Sequence, residues 1–152
     1  DRRALRKTLK RASVLTLADW SAILVATGDL AAARIAHATH PIAVIIGRLR
    51  KEDCVARLAS TPDDEARLKR LAWAISVAAA RVPWRSDCLL QAMAADRWLR
   101  RHAFKSDFFL GVTRKDDGAL DAHAWLACGP IQITGGRVDG YVSLMEPSPP
   151  PD

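Results

Sequence analysis

Up to Val82 the apolar residues recur at the three- and four-residue intervals of helices, and beyond Ser106 the spacing shortens to that of strands. Thr16 with Asp19 three residues on has capping-box character and predicts a helix running toward Gly28. A further helix covers Leu30–His37, and Pro41 then restarts the pattern through Ile42, Val44, Ile45 and Leu49. Thr61-Pro62-Asp63-Asp64-Glu65 is a strong start signal: an N-cap hydroxyl, a proline in the first turn, and carboxylates at the positive end of the helix dipole. The helix that follows sets Leu68, Leu71, Ala72, Ile75 and Ala79 on one stripe, which reads as a core face. Val82-Pro83-Trp84 ends it, because a residue before proline avoids the helical region. Ser86 or Asp87 then caps a helix to about Arg101, with Leu89, Leu90, Met93, Ala94, Trp98 and Leu99 as its apolar positions.

After His102 the texture changes. Ser106–Val112 is short, aromatic and apolar, and predicts a buried strand; Lys115-Asp116-Asp117-Gly118 predicts a turn of the Asp-Gly kind. Ala122–Ala127 predicts a second strand, Cys128-Gly129-Pro130 a turn, and Ile131–Thr134 a third strand ended by Gly135-Gly136. The fold class expected is α+β, a helical N-terminal half packed on a small antiparallel sheet. Residues 1–60 are expected to be a helical segment, 61–146 the core domain, and 147–152, with their proline run, a disordered tail. No internal repeat is visible.

Composition narrows the class. Hydrophobic residues make up 49% and charged residues 26% of the 152, the balance of an ordinary folded domain rather than a disordered chain. The net charge of +6 is mostly arginine, concentrated in Arg2–Arg11, Arg48–Lys51 and Arg97–Lys105. Basic residues on helices are ordinarily a solvated face; the alternative is a surface for an acidic peptide or nucleic acid. Zinc-finger spacing, aromatic ribonucleoprotein signatures and heptads are all missing, so no nucleic-acid partner is expected. Asp19 and Asp29 interrupt the early apolar stretch, and no run approaches the roughly 18 residues that span a bilayer. The run Pro41–Ile46 is core-sized. Neither a targeting segment nor a membrane association is expected, and Asp1 in place of Met fits a fragment or a processed form. Cys54, Cys88 and Cys128 are three, an odd number without tight spacing, which argues against a disulfide framework and for a reducing, cytoplasmic setting.

Two residues carry candidate chemistry. Cys88 falls in the first turn of its helix, where unpaired amide hydrogens and the dipole favour thiolate over thiol, and Arg85 adds positive charge. The bland alternative is a small buried hydrophobe. His123 sits mid-strand between Ala122 and Ala124, sharing a face with Trp125 and Ala127. Its bland alternative is a core histidine bonded to a carbonyl. A helix-start cysteine packed against a mid-strand histidine is how papain-like and transglutaminase-like sites are built. His37, His40 and His102 lie at helix breaks and ends, where a cation is favourable without any chemistry. Zinc held by Cys88, His123 and Cys128 lacks a fourth ligand and paired spacing, so no metal is expected.

The stretch Val82-Pro83-Trp84-Arg85-Ser86-Asp87-Cys88-Leu89, the helix end Trp98-Leu99-Arg100-Arg101, the strand Leu110-Gly111-Val112 and the motif Ala122-His123-Ala124-Trp125-Leu126 follow in this order and spacing. Together they resemble the C-terminal domain of the B proteins that mature lasso peptides, including the microcin-type processing proteases. Gly135-Gly136 and Tyr141-Val142-Ser143-Leu144 resemble that family's ending, and the matching region runs from about Ala72 to Leu144. The resemblance implies a leader peptidase, which cuts a ribosomal precursor between leader and core and frees the core's N-terminal amine for a separate lasso cyclase. It implies a leader-recognition module, fused or in trans; nothing in this sequence resembles one. Some members are reported to need ATP, but there is no phosphate-binding loop, and no cofactor is inferred.

A triad needs a third group to orient the imidazole. If Cys128-Gly129 is a two-residue turn, His123 pairs with Thr134, and Gln132 faces Trp125 on the histidine's side; neither is a carboxylate. Asp121 and Asp139 are the acidic candidates, and Asp139 ranks first because it follows the histidine strand, as in the family; both also suit a surface or a turn. Trp84 and Trp125 are candidates for walling the substrate, although buried tryptophans are core by default. The Cys88 amide is the expected oxyanion donor, with Gln91 either aiding it or simply solvated. Two rival readings remain open: a transglutaminase-like acyl transferase using the same dyad, and a helical adaptor that binds a leader without chemistry.

Overall fold

The computed structural model describes residues 15–51 and 56–144. Cys54, the basic run Arg2–Arg11 and the expected tail 147–152 lie outside the described residues. Among the described residues four helices precede four strands: α1 Leu17–Thr39, α2 Ile42–Leu49, α3 Pro62–Ala79, α4 Cys88–Arg101, β1 Asp107–Arg114, β2 Leu120–Cys128, β3 Ile131–Thr134 and β4 Val142–Ser143. The sheet order is β3-β2-β1-β4 with antiparallel pairing throughout. The protein is therefore α+β, with the helices grouped against one small sheet.

The helix starts follow their capping chemistry. Thr16 and Asp19 form a reciprocal capping box, and the Thr61 hydroxyl accepts from Asp64 N at 3.1 Å. Asp87, rather than Ser86, caps α4 by accepting from Leu90 N at 3.1 Å. One expectation gives way: α1 runs unbroken through Gly28, so the two helices predicted before His40 are one. A lone glycine costs a helix only about 1 kcal/mol, and the burial of Ala26, Leu30 and Ala33 on both sides offsets it.

The core lies where α1, α3 and α4 meet one another and the sheet. Helix α1 packs on α3 and α4, α4 on β2, and α3 on β3. Leu30, Leu68, Ile75, Leu90, Leu99 and Leu126 are fully buried, each contributing about 1.5–3 kcal/mol by transfer from water. Alanines at 26, 33, 74, 78, 92, 94 and 95 let the helix backbones approach closely. Charge also joins the layers: Asp29 on α1 is buried and accepts from Arg101 on α4 at 2.6 and 2.7 Å. Arg57 grips Asp64 with both Nη atoms and lies 4.4 Å over the Phe104 ring. Among the described residues no helix is long and apolar enough to cross a membrane.

In the sheet, Lys115–Gly118 makes the predicted turn, with Gly118 N donating to Lys115 O at 2.9 Å. The β2–β3 register differs from expectation. The turn is Gly129-Pro130, so Cys128 pairs with Ile131 and Ala127 with Gln132, and an irregularity then sets Leu126 against Thr134. Thr134 therefore does not pair with His123. Gly129 at φ +56° explains the choice, because a two-residue hairpin turn takes a left-handed glycine at its first central position. The irregularity is a bulge that spends one extra β3 residue and turns the following Gly135-Gly136 segment back toward β2.

Candidate active site

Cys88 is the first residue of α4, so its own N–H has no intrahelical acceptor and projects from the helix start. His123 lies in β2 opposite Gly111 of β1. The two line one open cleft of about 550 Å³, together with Ala72, Ile75 and Ser76 of α3, Gln91 of α4, and Gln132–Gly136. The cleft thus sits between the α3 face, the start of α4 and the bulged end of β3. Among the described residues that wall it, none but Cys88 and His123 is ionisable, and several are small. Gln91 Nε2 donates to Ser86 O at 3.0 Å, which ties this side chain to the strand-like approach to Cys88.

The His123 ring is placed by three neighbours. Its Nε2 lies 2.7 Å from Gly135 O. The Tyr141 ring is 5.0 Å away, tilted by 35°, and the Trp125 indole 6.1 Å away. Trp125 itself stacks on Phe109 at 5.5 Å. Room for that indole comes from Gly111, where a Cβ would sit 2.8 Å from the ring. Trp125 therefore borders the imidazole, whereas Trp84 packs against the core with its Nε1 buried and without a hydrogen-bond partner among the described residues.

The two acidic candidates take different places. Asp139 is 85% exposed and lies 3.8 Å from Arg137. Asp121 accepts from Tyr141 Oη at 2.8 Å and pairs with Lys115 at 3.4 Å. The Tyr141 bond, then Lys115 and His123, hold the Asp121 carboxyl below its ordinary range. The same bond raises the Tyr141 hydroxyl, and the nearby Cys88 charge adds to the rise, so Tyr141 stands within electrostatic reach of Cys88 as well as against His123. Neither carboxylate makes an ion pair with the imidazole. Gln132 turns its Nε2 to Thr134 O at 3.0 Å and to Gly136 O at 2.6 Å. Cys128 ends β2 wholly buried, and burial pushes its thiol up, away from reactivity. Among the described residues no three His, Cys, Asp or Glu side chains converge as a metal-ligand set.

Sequence reasoning missed several members of this site. Ala72 and Ser76 line the cleft from a helix whose apolar spacing signals only core. Tyr141 and Gly135 reach His123 through the β3 bulge and the loop after it, and neither leaves a signal in one sequence beyond the glycine pair itself.

Helices first, then a helix opened by a thiol, then an antiparallel sheet carrying an imidazole on the same cleft: this is the layout of a transglutaminase-like domain. The family model for the transglutaminase-like superfamily matches residues 29–146, and the chain belongs to that superfamily. The superfamily includes cysteine peptidases and acyl transferases. No curated protein and no solved structure matches the chain.

Proposed function

We propose that the protein is a cysteine peptidase that removes the leader from a lasso peptide precursor, with Cys88 as nucleophile and His123 as general base. The observation that carries the reading is the meeting of these two side chains on one open cleft, one at a helix start and the other in a strand. Membership of the transglutaminase-like superfamily supports the chemistry. The resemblance of the Val82–Leu89 stretch and the Ala122–Leu126 motif to the lasso peptide B proteins supports the substrate class. Small walls at Ala72, Ser76, Gly135 and Gly136 leave room for the main chain of an extended peptide.

In the proposed reaction the Cys88 proton passes to the imidazole as Sγ attacks the leader–core carbonyl carbon. The oxyanion takes hydrogen bonds from the unpaired Cys88 amide and from the second amide hydrogen of Gln91. The C–N bond breaks as the imidazolium gives its proton to the core's departing amine. Water then attacks the thioester, losing a proton to His123, and the S–C bond breaks to release the leader carboxylate. A leader-recognition module, in trans or fused, presents the precursor, and a separate lasso cyclase uses the freed amine.

The test is Cys88→Ala with a matched precursor and its recognition partner. Cleavage is expected to fall by roughly three orders of magnitude or more. Continued cutting at the parent rate would refute the assignment. Product mass separates hydrolysis, which adds water to the leader, from acyl transfer, which adds an amine.

A further inference from the structure

We propose that the main-chain carbonyl of Gly135 is the group that orients His123, the task a third side chain performs in related thiol sites, and that Gln132 is its positioning residue. This rests on the reading of Cys88 and His123 as the reacting pair. The carbonyl lies 2.7 Å from Nε2. A carbonyl oxygen only accepts, so the bond exists only when Nε2 carries hydrogen. A neutral imidazole has one N–H, which leaves Nδ1 bare to take the thiol proton. The bond therefore selects the tautomer, as an aspartate does in a serine or cysteine triad.

The surroundings are built for this contact. The β3 bulge turns Gly135 over the β2 strand, at φ +102°. A Cβ at that position would run into Trp125 Cβ and stand 3.4 Å from the imidazole Nε2, so only glycine lets the backbone come this close. Gln132 donates both of its bonds to flanking carbonyls, Thr134 O and Gly136 O, and so fixes the peptide planes just before Gly135 and just after Gly136, which bracket the plane that carries the Gly135 carbonyl. Among the described residues no carboxylate competes: Asp139 faces solvent beside Arg137, and Asp121 is held by Tyr141 and Lys115. The charged and titratable groups around the ring are then Cys88 from α4, Asp121 from β2 with its Lys115 partner, and Tyr141 ahead of β4.

A neutral acceptor supports the imidazolium less than a carboxylate does, so its hydrogen bond is the support that a backbone change can weaken. Gly135→Ala is unsuited because its methyl displaces Trp125. The full chain is instead assembled by ligation at Cys128, with an ester replacing the Gly135–Gly136 amide, which leaves every side chain intact and makes the Gly135 carbonyl a poorer acceptor. Gln132→Met is the second variant, of similar length, uncharged and without donors. Two readouts are taken: the pH profile of iodoacetamide capture at Cys88, which needs no substrate, and precursor cleavage. In both variants the reactive thiolate is expected to form at higher pH, with capture at neutral pH slowed about tenfold, the effect of losing one hydrogen bond of ordinary strength. An ester chain with the parent profile, beside a comparable loss in Asp139→Asn, overturns the proposal and returns the role to the carboxylate. If Cys88 reacts no faster than Cys54 and Cys128 in the parent, the pair itself fails and the proposal with it. A shifted capture profile in a protein that cuts no precursor upholds this inference and removes the leader-peptidase reading alone.

Discussion

Trp125 is the residue around which the imidazole's surroundings are arranged. Its indole lies over Phe109, borders His123 and faces Tyr141, and two glycines make way for it, Gly111 in β1 and Gly135 just after β3. Gly111→Ala would place a Cβ 2.8 and 2.9 Å from the indole edge, closer than such carbons approach. The ring must shift, at a cost of about 1–3 kcal/mol. Urea unfolding reads that cost directly; a midpoint equal to the parent's would mean that the sheet absorbs the methyl elsewhere. Such constraints are invisible in a sequence. Gly111 reads there as an ordinary strand glycine, and only the opposite strand's tryptophan explains it. The places of Cys88 and His123 were legible because each depends on local pattern, a helix start and a strand. The exposed place of Asp139 beside Arg137 was not legible, because chain order after the histidine strand says nothing of which way a side chain faces.

At the scale of elements, the start of α4 couples stability to reactivity. Asp87 holds Leu90 N, one of the amides left without an intrahelical acceptor, and Cys88 directly follows the cap. Asp87→Ala is expected to cost about 1 kcal/mol in urea unfolding. Fraying of this turn also loosens the amide proposed for the oxyanion, so kcat should fall more than KM rises. A rise in KM with kcat unchanged would place the effect in substrate binding instead. The helix caps at Thr16, Thr61 and Asp87 could all be read from a few residues each, since the hydroxyl or carboxylate and its amide partner are three positions apart. The β2–β3 register could not. It turns on whether Gly129 begins the hairpin turn or ends it, and on a bulge with no compositional mark.

The whole molecule is held by an alanine-rich helical layer and by carboxylates whose charge the fold protects. Leu126, fully buried beneath α4, is the point where helices and sheet share one core; Leu126→Ala is expected to cost 2–5 kcal/mol, about the range for such truncations, in the same unfolding assay. Asp19, Asp64 and Asp121 titrate below the ordinary carboxylate range, held first by the Thr16 amide, the Arg57 guanidinium and the Tyr141 hydroxyl respectively. Their native values lie below the unfolded value of about 3.9, so the stability they add is complete above that pH and is lost as the pH falls through the native values. The urea midpoint should drop below about pH 4, and Asp64→Asn should flatten the acid limb. An acid limb of undiminished slope in that variant would remove Asp64 from the account. The division into helices followed by a meander, and hence the α+β class, was open to reading because apolar period is a property of each segment alone. Which helix face would be left uncovered as a cleft was not, because it depends on what packs nearby.

The Gly135 carbonyl belongs to the main chain, and that decides what conventional mutagenesis can see. Stripping side chains one at a time across the protein would report a thiol and an imidazole and find no third partner, since no such deletion removes a peptide oxygen. Any change at codon 135 would register as a folding defect, and the group steering the proton would pass for mere scaffold.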